Sequence, residues 1–405
     1  MGRSSNRRFK VSFTDPAGRR LYFALLANFI VFGMTVTMFG ATVPKVIEQF
    51  GWGYLATGLV VSASPIGYFL SAFASGILVR RFGARKVIVC GLLAQGAGLA
   101  FFGTAAGVML NISLALAVGL GGGATEVVTN FSVSRMERPG RSRLMNLMHA
   151  AFTSGAMTSP ILIGWVIAAG GRWQSVYQGV AILSFAIAGG ISLCSFGSVD
   201  APKEETRGPG FRSAMRQPLL GLFFAAMLLF TGAELGLSSW ISEYSVDVLG
   251  SSAAVGAWMV SVFWLGVLCG RLAFSGLYRG SSQVDVVLML GSCATVLLGV
   301  SLLVRSELAP FLFLGTGLGY SAIYPSLVAS VGHRFEETQA EAIATAVTGG
   351  GVGSFLFPLM IGGIAGEWGI AAGVWFCVAA TGAATVVAWL VRTQMVEHPG
   401  SPSGS

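Results

Sequence analysis

The sequence predicts an all-α membrane protein with twelve transmembrane helices. Hydrophobic residues make up 54% of the 405 residues, charged residues only 10%, and the mean hydropathy is +0.74. Soluble domains carry about 25% charged residues, and a helix needs about 20 apolar residues to cross a bilayer. Twelve apolar segments of this kind lie near residues 21–47, 53–79, 87–106, 108–134, 144–170, 174–197, 218–246, 253–278, 284–304, 308–332, 342–366 and 369–391.

The basic residues predict the orientation of these spans. Of the 25 Lys and Arg residues, 22 lie in the N-terminus, in every second loop or, for Arg271, inside the adjoining end of a span, and only Lys45, Arg172 and Arg305 lie in the opposite loops. Because cytoplasmic loops carry an excess of Lys and Arg, we expect a multi-pass protein of the inner (plasma) membrane with both termini in the cytoplasm. The net charge of +8 therefore reflects topology, and nucleic-acid binding is not expected.

The spans are predicted to form two bundles of six helices that repeat each other. The N-terminal bundle covers residues 21–197 and the C-terminal bundle 218–391, with a cytoplasmic linker at 198–217 and cytoplasmic tails at 1–20 and 392–405. Adding 198 to Gly119, Gly121, Gly155, Pro160 and Gly164 reaches Gly317, Gly319, Gly353, Pro358 and Gly362. An offset of 199 relates Gly67 to Gly266 and Arg80 to Arg279. These matches indicate pseudo-symmetric halves.

Polar residues inside the fourth and fifth spans are the first candidates for a functional site. Glu126 and Asn130 are four residues apart, and Asn146 and His149 are three apart, so each pair shares one face of a helix. A bare carboxylate inside the bilayer is costly, so we expect Glu126 to be buried in the bundle as a proton-coupling or substrate-binding residue. The alternative is a structural acid that bonds to a neighbouring helix. His149 is a candidate proton relay or substrate donor, and Asn130 either contacts the substrate or bridges helices.

The repeat treats these polar residues asymmetrically. At the offset of 198, Glu126 corresponds to Tyr324 and Asn130 to Val328. A residue needed only for folding is expected in both halves, so the asymmetry favours an ion or substrate role for Glu126. Tyr324, with Tyr320 and Pro325 in the tenth span, is a candidate for a substrate-contacting, moving wall of the C-terminal half, and the alternative is close helix packing.

The C-terminal half offers further candidates in its first two spans. Glu234 lies near the middle of the seventh span, and Trp240 is turned about 120° away from it on a helix. An aromatic ring beside polar donors suits a sugar, whereas the alternative for Trp240 is an anchor at the membrane interface. Glu243 is expected near the outer surface and solvated. Arg271 is expected to be a gating or structural charge.

The chain shows no sign of an enzyme. No metal-ligand cluster, nucleophile motif or phosphate loop is found, and the glycine run that starts at Gly119 lies inside a span without a following lysine. The five cysteines all fall within apolar spans at no metal or redox spacing. We therefore expect no catalytic residues, no metal site and no cofactor, apart from a proton or a sodium ion as the coupling ion.

The turn after the second span resembles a known family. Its residues Gly76, Arg81, Gly83 and Arg85 match the loop between helices 2 and 3 of the major facilitator superfamily, with Arg80 at the position where that family has an acid. The resemblance implies the fold of two six-helix bundles and a gating or structural role for Arg81 and Arg85.

Four short motifs resemble one branch of that superfamily more closely. They are Gly121 with Glu126 and Asn130; Asn146 and His149 with Gly155 and Pro160; Glu234 with Trp240; and Trp264 with Gly266, Gly270 and Arg271. Together they are similar to the fucose:proton symporter branch, which includes bacterial glucose transporters and animal sodium-dependent glucose transporters. The resemblance implies that Glu126 and Asn130 contact sugar or couple to protons, and that His149 faces substrate. Gly40 and Phe152 replace an acid and an asparagine of the fucose permease.

The sequence thus predicts a secondary active transporter that moves a small polar solute by alternating access. We expect proton-coupled symport of a sugar, by a chain that is monomeric and contacts only the lipid bilayer and a small-molecule substrate. A proton-driven exporter of drugs or metabolites is the alternative. A membrane sensor or scaffold without transport is a third hypothesis, which the repeat disfavours.

Overall fold

The computed structural model describes residues 15–137, 143–197, 217–277, 282–304 and 308–397. These ranges contain thirteen α-helices and no β-strand. The first six helices are α1 (Pro16–Phe50), α2 (Tyr54–Phe82), α3 (Ala84–Phe101), α4 (Val108–Met136), α5 (Arg143–Ala168) and α6 (Gln174–Ser192). The others are α7 (Pro218–Asp247), α8 (Ala253–Leu277), α9 (Gln283–Val304), α10 (Ala309–Tyr320), α11 (Ile323–Arg334), α12 (Gln339–Trp368) and α13 (Ile370–Glu397).

Twelve spans in the described ranges are long and apolar enough to cross a membrane, with α10 and α11 together forming the tenth. The predicted fold class is thereby confirmed. Some boundaries differ: α1 begins at Pro16 and α13 extends to Glu397, inside the predicted tails. The third span ends at Phe101 instead of residue 106, because Gly103 turns the chain with a φ of 69° and donates its amide to Asn111 Oδ1 at 2.8 Å. Most of the predicted linker, residues 198–216, lies outside the described residues.

The described chain forms two compact units. The first contains residues of the ranges 1–38, 63–159 and 171–205, and the second contains residues of 39–62, 160–170 and 206–405. The ends of α1 and α5 and the start of α2 therefore pack with the second unit. The division into bundles at 21–197 and 218–391 stays a prediction.

Glycines bring the backbones of α2 and α4 into direct contact. A Cβ atom added to Gly119 would overlap the carbonyl oxygen of Ser64, and one added to Gly67 would overlap the carbonyl oxygen of Leu116. The two glycines thus face each other's helix. Small residues allow such close approach, which is how membrane helices gain van der Waals contact where the lipid offers no hydrophobic driving force.

The same arrangement joins α1 to α5. A Cβ atom on Gly33 would overlap the carbonyl oxygen of Phe152, and one on Gly155 would overlap that of Ile30. Pro160 has no amide hydrogen, which leaves the carbonyl oxygen of Ala156 without its helical donor. The hydroxyl of Thr37 on α1 donates to this oxygen at 2.9 Å.

Equivalent helices of the second unit meet at the repeated glycines. The contact of α8 with α10 pairs Gly266 with Leu314 and Gly317 with Phe263, and the contact of α7 with α12 places Gly353 against the carbonyl oxygen of Leu228. The offsets of 198 and 199 found in the sequence therefore relate glycines that make equivalent helix–helix contacts in each unit.

The repeat also extends to the turns that follow helices. Gly51 and Gly250 both have a φ of 66°, and they follow α1 and α7. Gly170 and Gly369, which follow α5 and α12, have φ values of 72° and 80°. Left-handed backbone at these positions favours glycine and ends the helix.

We predict that Gly119→Ala destabilises the protein, whereas Gly179→Ala does not. The new methyl group at residue 119 meets the backbone of α2, and overpacking of this kind costs about 1–3 kcal/mol. Gly179 on α6 has open space around it, so alanine there only improves helix propensity. Thermal unfolding of the purified protein in detergent measures both effects. Equal unfolding temperatures for the two variants would contradict the contact.

Candidate substrate and coupling site

Glu126 on α4 is hydrogen-bonded to two neutral side chains in the first unit. Tyr68 Oη of α2 donates to Glu126 Oε2, and Asn130 Nδ2, one turn along α4, donates to Glu126 Oε1 at 3.4 Å. The sequence predicted Glu126 and Asn130 on one face, and the structure brings them together. The sequence analysis did not predict Tyr68 as a site residue. Its position next to Gly67, a glycine of the repeat at which α2 contacts α4, could have indicated that it faces α4.

This arrangement can serve both protonation states of Glu126. A tyrosine hydroxyl can donate to a carboxylate or accept from a carboxylic acid. The amide of Asn130 offers a donor to the carboxylate, and its Oδ1 is buried without a hydrogen-bond partner among the described residues. The acid can therefore gain or lose a proton without a new partner moving in.

Aromatic rings of α1 and α5 pack next to Tyr68, the hydrogen-bond partner of the acid. Phe32 stacks on Tyr68, with ring centroids 5.9 Å apart and an interplanar angle of 17°, and it also contacts Phe152 at 5.4 Å. The Phe32 ring passes over α4 at Gly122, one turn before Glu126. Phe32 was not among the predicted site residues, because nothing in α1 alone distinguishes it from a core residue.

His149 is not a direct partner of the acid. Its side chain is exposed, and its ring meets Phe29 edge-on at a centroid distance of 6.0 Å. Phe29 in turn contacts Phe32 at 6.0 Å, so the aromatic group connects His149 with the surroundings of Glu126. Asn146 is exposed one turn earlier on α5.

The second unit contains a different kind of acid site. Glu234 in α7 is only 8% exposed, and the guanidinium of Arg271 on α8 lies within electrostatic range of it. Arg271 Nε donates to the carbonyl oxygen of Ser321 at 3.2 Å. Ser321 lies in the break between α10 and α11, and Tyr324 follows the break with an exposed side chain.

Trp240 is completely buried, and its surroundings are specific. Its indole N–H donates to the carbonyl oxygen of Pro358 at 3.0 Å, and its ring lies 5.9 Å from that of Tyr54. Its role as a substrate contact stays a prediction. The expectation that Glu243 is solvated was wrong: its side chain is 6% exposed, because Tyr54 of α2 covers it and donates to Glu243 Oε1 at 3.2 Å.

A cavity of about 680 Å³ opens beside Glu243 at the ends of α1, α5, α7 and α8. An ion pair of Lys45 and Glu48, with 2.6 Å between Nζ and Oε2, lies at its edge. Neither Glu126 nor Glu234 lines this cavity, so it is separate from the two acid sites.

The predicted gating residues of the first unit lie at the turn between α2 and α3. Arg81 and Arg85 are both exposed, and the turn is made by Gly83 with a φ of 84°. The Arg81 guanidinium lies 5.3 Å from the centre of the Phe82 ring. Their gating role stays a prediction.

We predict that Tyr68 and Glu126 are energetically coupled. Tyr68→Phe removes the hydroxyl and keeps the ring stack on Phe32, and Glu126→Gln removes the charge. Hydrogen bonds between membrane helices contribute about 1 kcal/mol, so the double variant should be less destabilised than the two single changes added together. Denaturant unfolding in mixed micelles measures the four free energies of unfolding. Strict additivity would show that the two side chains act independently.

The chain is similar to known proteins over most of its length. The family model described as Major Facilitator Superfamily matches residues 25–315. The chain is 24% identical to the "Bypass of stop codon protein 6" of Saccharomyces cerevisiae, over 88% of this chain and 79% of that protein. It is 27% identical to "Protein TsgA" of Salmonella arizonae, over 64% of this chain and 67% of that protein.

Solved structures show the same fold. A bacterial homologue of the human lysosomal transporter Spinster, in an inward-facing and unoccupied conformation, superposes with a TM-score of 0.75 at 15% identity, over 96% of this chain and all of that one. A D-xylose–proton symporter superposes with a TM-score of 0.69 at 12% identity, over 92% and 97% of the two chains. With the twelve spans and a family match that covers most of the sequence, the chain belongs to the Major Facilitator Superfamily and is a transporter, not an enzyme.

Proposed function

We propose that this transporter moves a small polar solute, a sugar, by proton-coupled symport with alternating access. The observation that carries the proposal is the position of Glu126, a carboxyl group inside a membrane helix whose described partners are the neutral donors Tyr68 and Asn130. The proposal includes the inner (plasma) membrane, cytoplasmic termini and a monomeric chain.

Proton coupling follows from the electrostatics of Glu126. An ionised carboxylate without a cation beside it is unfavourable inside a membrane protein. Binding of a proton removes this charge, so the helices can close around a neutral site. A protein that changes conformation only when the site is neutral ties transport to the proton, because a ligand shifts a conformational equilibrium through its different affinity for the two states.

A sugar is the substrate class that the neighbouring side chains suit. Phe152, the half-buried member of the aromatic group, offers a ring face for the C–H surface of a pyranose, and Asn130 Oδ1, which has no hydrogen-bond partner among the described residues, is an acceptor for a hydroxyl. The fold resembles that of the D-xylose–proton symporter, and the sequence motifs resemble the fucose:proton symporter branch. Sodium is the alternative coupling ion.

The same aromatic group supports the exporter hypothesis. The half-buried ring of Phe152 packs on the buried ring of Phe32 next to Tyr68, the partner of the acid, and such an apolar surface would also accept an apolar drug or metabolite. An exporter would load its substrate from the cytoplasm and exchange it for external protons. The direction of movement under an imposed proton gradient separates the two functions.

The test is uptake of labelled hexoses and pentoses by proteoliposomes with an inward proton gradient. We predict that the wild type accumulates one of the sugars, and that Glu126→Gln still exchanges this sugar across the membrane but no longer accumulates it. Exchange survives because the variant is neutral at this position at all times. Accumulation is lost because no proton is carried.

Two controls complete the experiment. Asp285→Asn removes an acid that pairs with Arg392 at 2.6 Å on the surface, and it should leave accumulation unchanged. Sodium replaces the proton gradient in a parallel series. Failure of the wild type to transport any sugar would refute the sugar proposal and favour export, whereas equal accumulation by wild type and Glu126→Gln would move proton coupling to Glu234.

A further inference from the structure

The tenth span is broken for a reason that can be read from its sequence. Helix α10 ends at Tyr320 and α11 begins at Ile323. In a continuous helix the amide of residue 325 would donate to the carbonyl oxygen of Ser321, but Pro325 has no amide hydrogen. The helix therefore restarts with Pro325 in the first turn of α11, where a missing donor is tolerated.

Arg271 supplies the donor that Pro325 lacks. Its Nε bonds to the Ser321 carbonyl oxygen at 3.2 Å. The approach is close because Gly270, the residue before it, has no side chain: a Cβ atom there would overlap Ser321 Oγ. The Ser321 hydroxyl bonds back to the carbonyl oxygen of Leu318 at 2.7 Å. The break is thus fixed by a side chain from α8.

The equivalent span of the first unit, α4, has neither this proline nor this break. At the offset of 198, Pro325 corresponds to Val127 and Tyr324 to Glu126. Helix α4 runs unbroken through Glu126, whereas the tenth span breaks at residues 321–322, and Tyr324 is the second residue of α11. The position that carries the acid in one half therefore carries a tyrosine beside a backbone break in the other.

We propose that Arg271 is a positioning residue that connects Glu234 to the break in the tenth span and so sets the orientation of Tyr324. The Arg271 guanidinium donates to the backbone oxygen of Ser321 at 3.2 Å, and its positive charge acts on the carboxyl group of Glu234 without an ion pair between them among the described residues. A proton or substrate that neutralises Glu234 leaves Arg271 to the Ser321 oxygen alone, and an ionised Glu234 competes for it. The inference rests on the proposed function only in its last step, the contact of Tyr324 with substrate.

The first test measures thermal unfolding of the full chain in detergent and needs no substrate. Arg271→Gln should lower the unfolding temperature, because the Ser321 oxygen loses its donor and Glu234 loses its counter-charge. Pro325→Ala restores an amide hydrogen to residue 325, so Arg271→Gln should lower the unfolding temperature clearly less in that background. Arg271→Gln combined with Glu234→Gln should also recover part of the loss. Pro325→Ser, which restores the same amide, replaces Pro325→Ala if that variant fails to fold.

The outcomes separate the two contacts of Arg271. If Arg271→Gln is equally destabilising with and without Pro325, Arg271 does not complete the break, and the proposal is wrong. Rescue by Pro325→Ala alone overturns the connection to Glu234, and rescue by Glu234→Gln alone reduces Arg271 to a counter-charge. Arg392→Gln, which removes a surface ion pair with Asp285, is the matched control and should respond to neither background.

The second test measures sugar transport in proteoliposomes. Arg271→Gln should raise the half-saturating sugar concentration about fivefold, which corresponds to about 1 kcal/mol, and Arg271→Lys should recover most of this loss because it keeps the charge and a donor. An unchanged half-saturating concentration would refute the positioning role. A wild type that transports no sugar would refute the proposed function, while the unfolding data would still decide the contacts of Arg271.

Discussion

Direct backbone contact at glycines is the constraint on which the arrangement of the helices depends. At Gly67, Gly119, Gly33 and Gly155 the carbonyl oxygen of one helix occupies the space that a side chain would take on the next. Such contacts fix the register of two helices, because a shift by one residue would place a side chain against a backbone. Membrane helices depend on such close packing for their association, because the lipid is as apolar as the helix surfaces and provides no hydrophobic driving force.

The candidate site is built on these contacts. Tyr68 reaches Glu126 because Gly67, its neighbour, lies against α4, and Phe152 reaches Phe32 because its own carbonyl oxygen lies at Gly33. The residues that pack the helices and the residues that form the site are therefore neighbours. Tyr68 follows a packing glycine in the sequence, and Phe152 lies opposite one on the next helix.

The sequence predicted what local spacing controls. Twelve spans follow from apolar length, and the contact of Glu126 with Asn130 follows from a spacing of four on a helix. The glycine repeat could be read as well, although its physical meaning could not. Contacts between distant helices were missed, because no periodicity within α2 shows that Tyr68 faces α4 or that Tyr54 covers Glu243.

The same limit explains why the sequence did not predict the break in the tenth span. Pro325 was visible in the sequence, and so was Arg271, but the hydrogen bond between Arg271 and Ser321 joins residues 50 positions apart. The two acids also differ in a way that composition does not reveal. Glu126 has neutral hydrogen-bond donors, whereas Glu234 lies within the electrostatic influence of the Arg271 guanidinium, so the halves of a repeated fold provide different electrostatic environments.

Two helices of this protein take a backbone hydrogen bond from a neighbour, and this has a mechanical consequence. Thr37 completes α5 at Ala156, and Arg271 completes the tenth span at Ser321. A proline kink is ordinarily a soft joint, because one hydrogen bond is missing. When the donor comes from another helix, bending at the kink pulls on that helix too. Helices α1 and α5 are thus mechanically coupled at the proline kink, and so are α8 and the tenth span. A force that bends one helix of such a pair is transmitted to the other through the shared hydrogen bond.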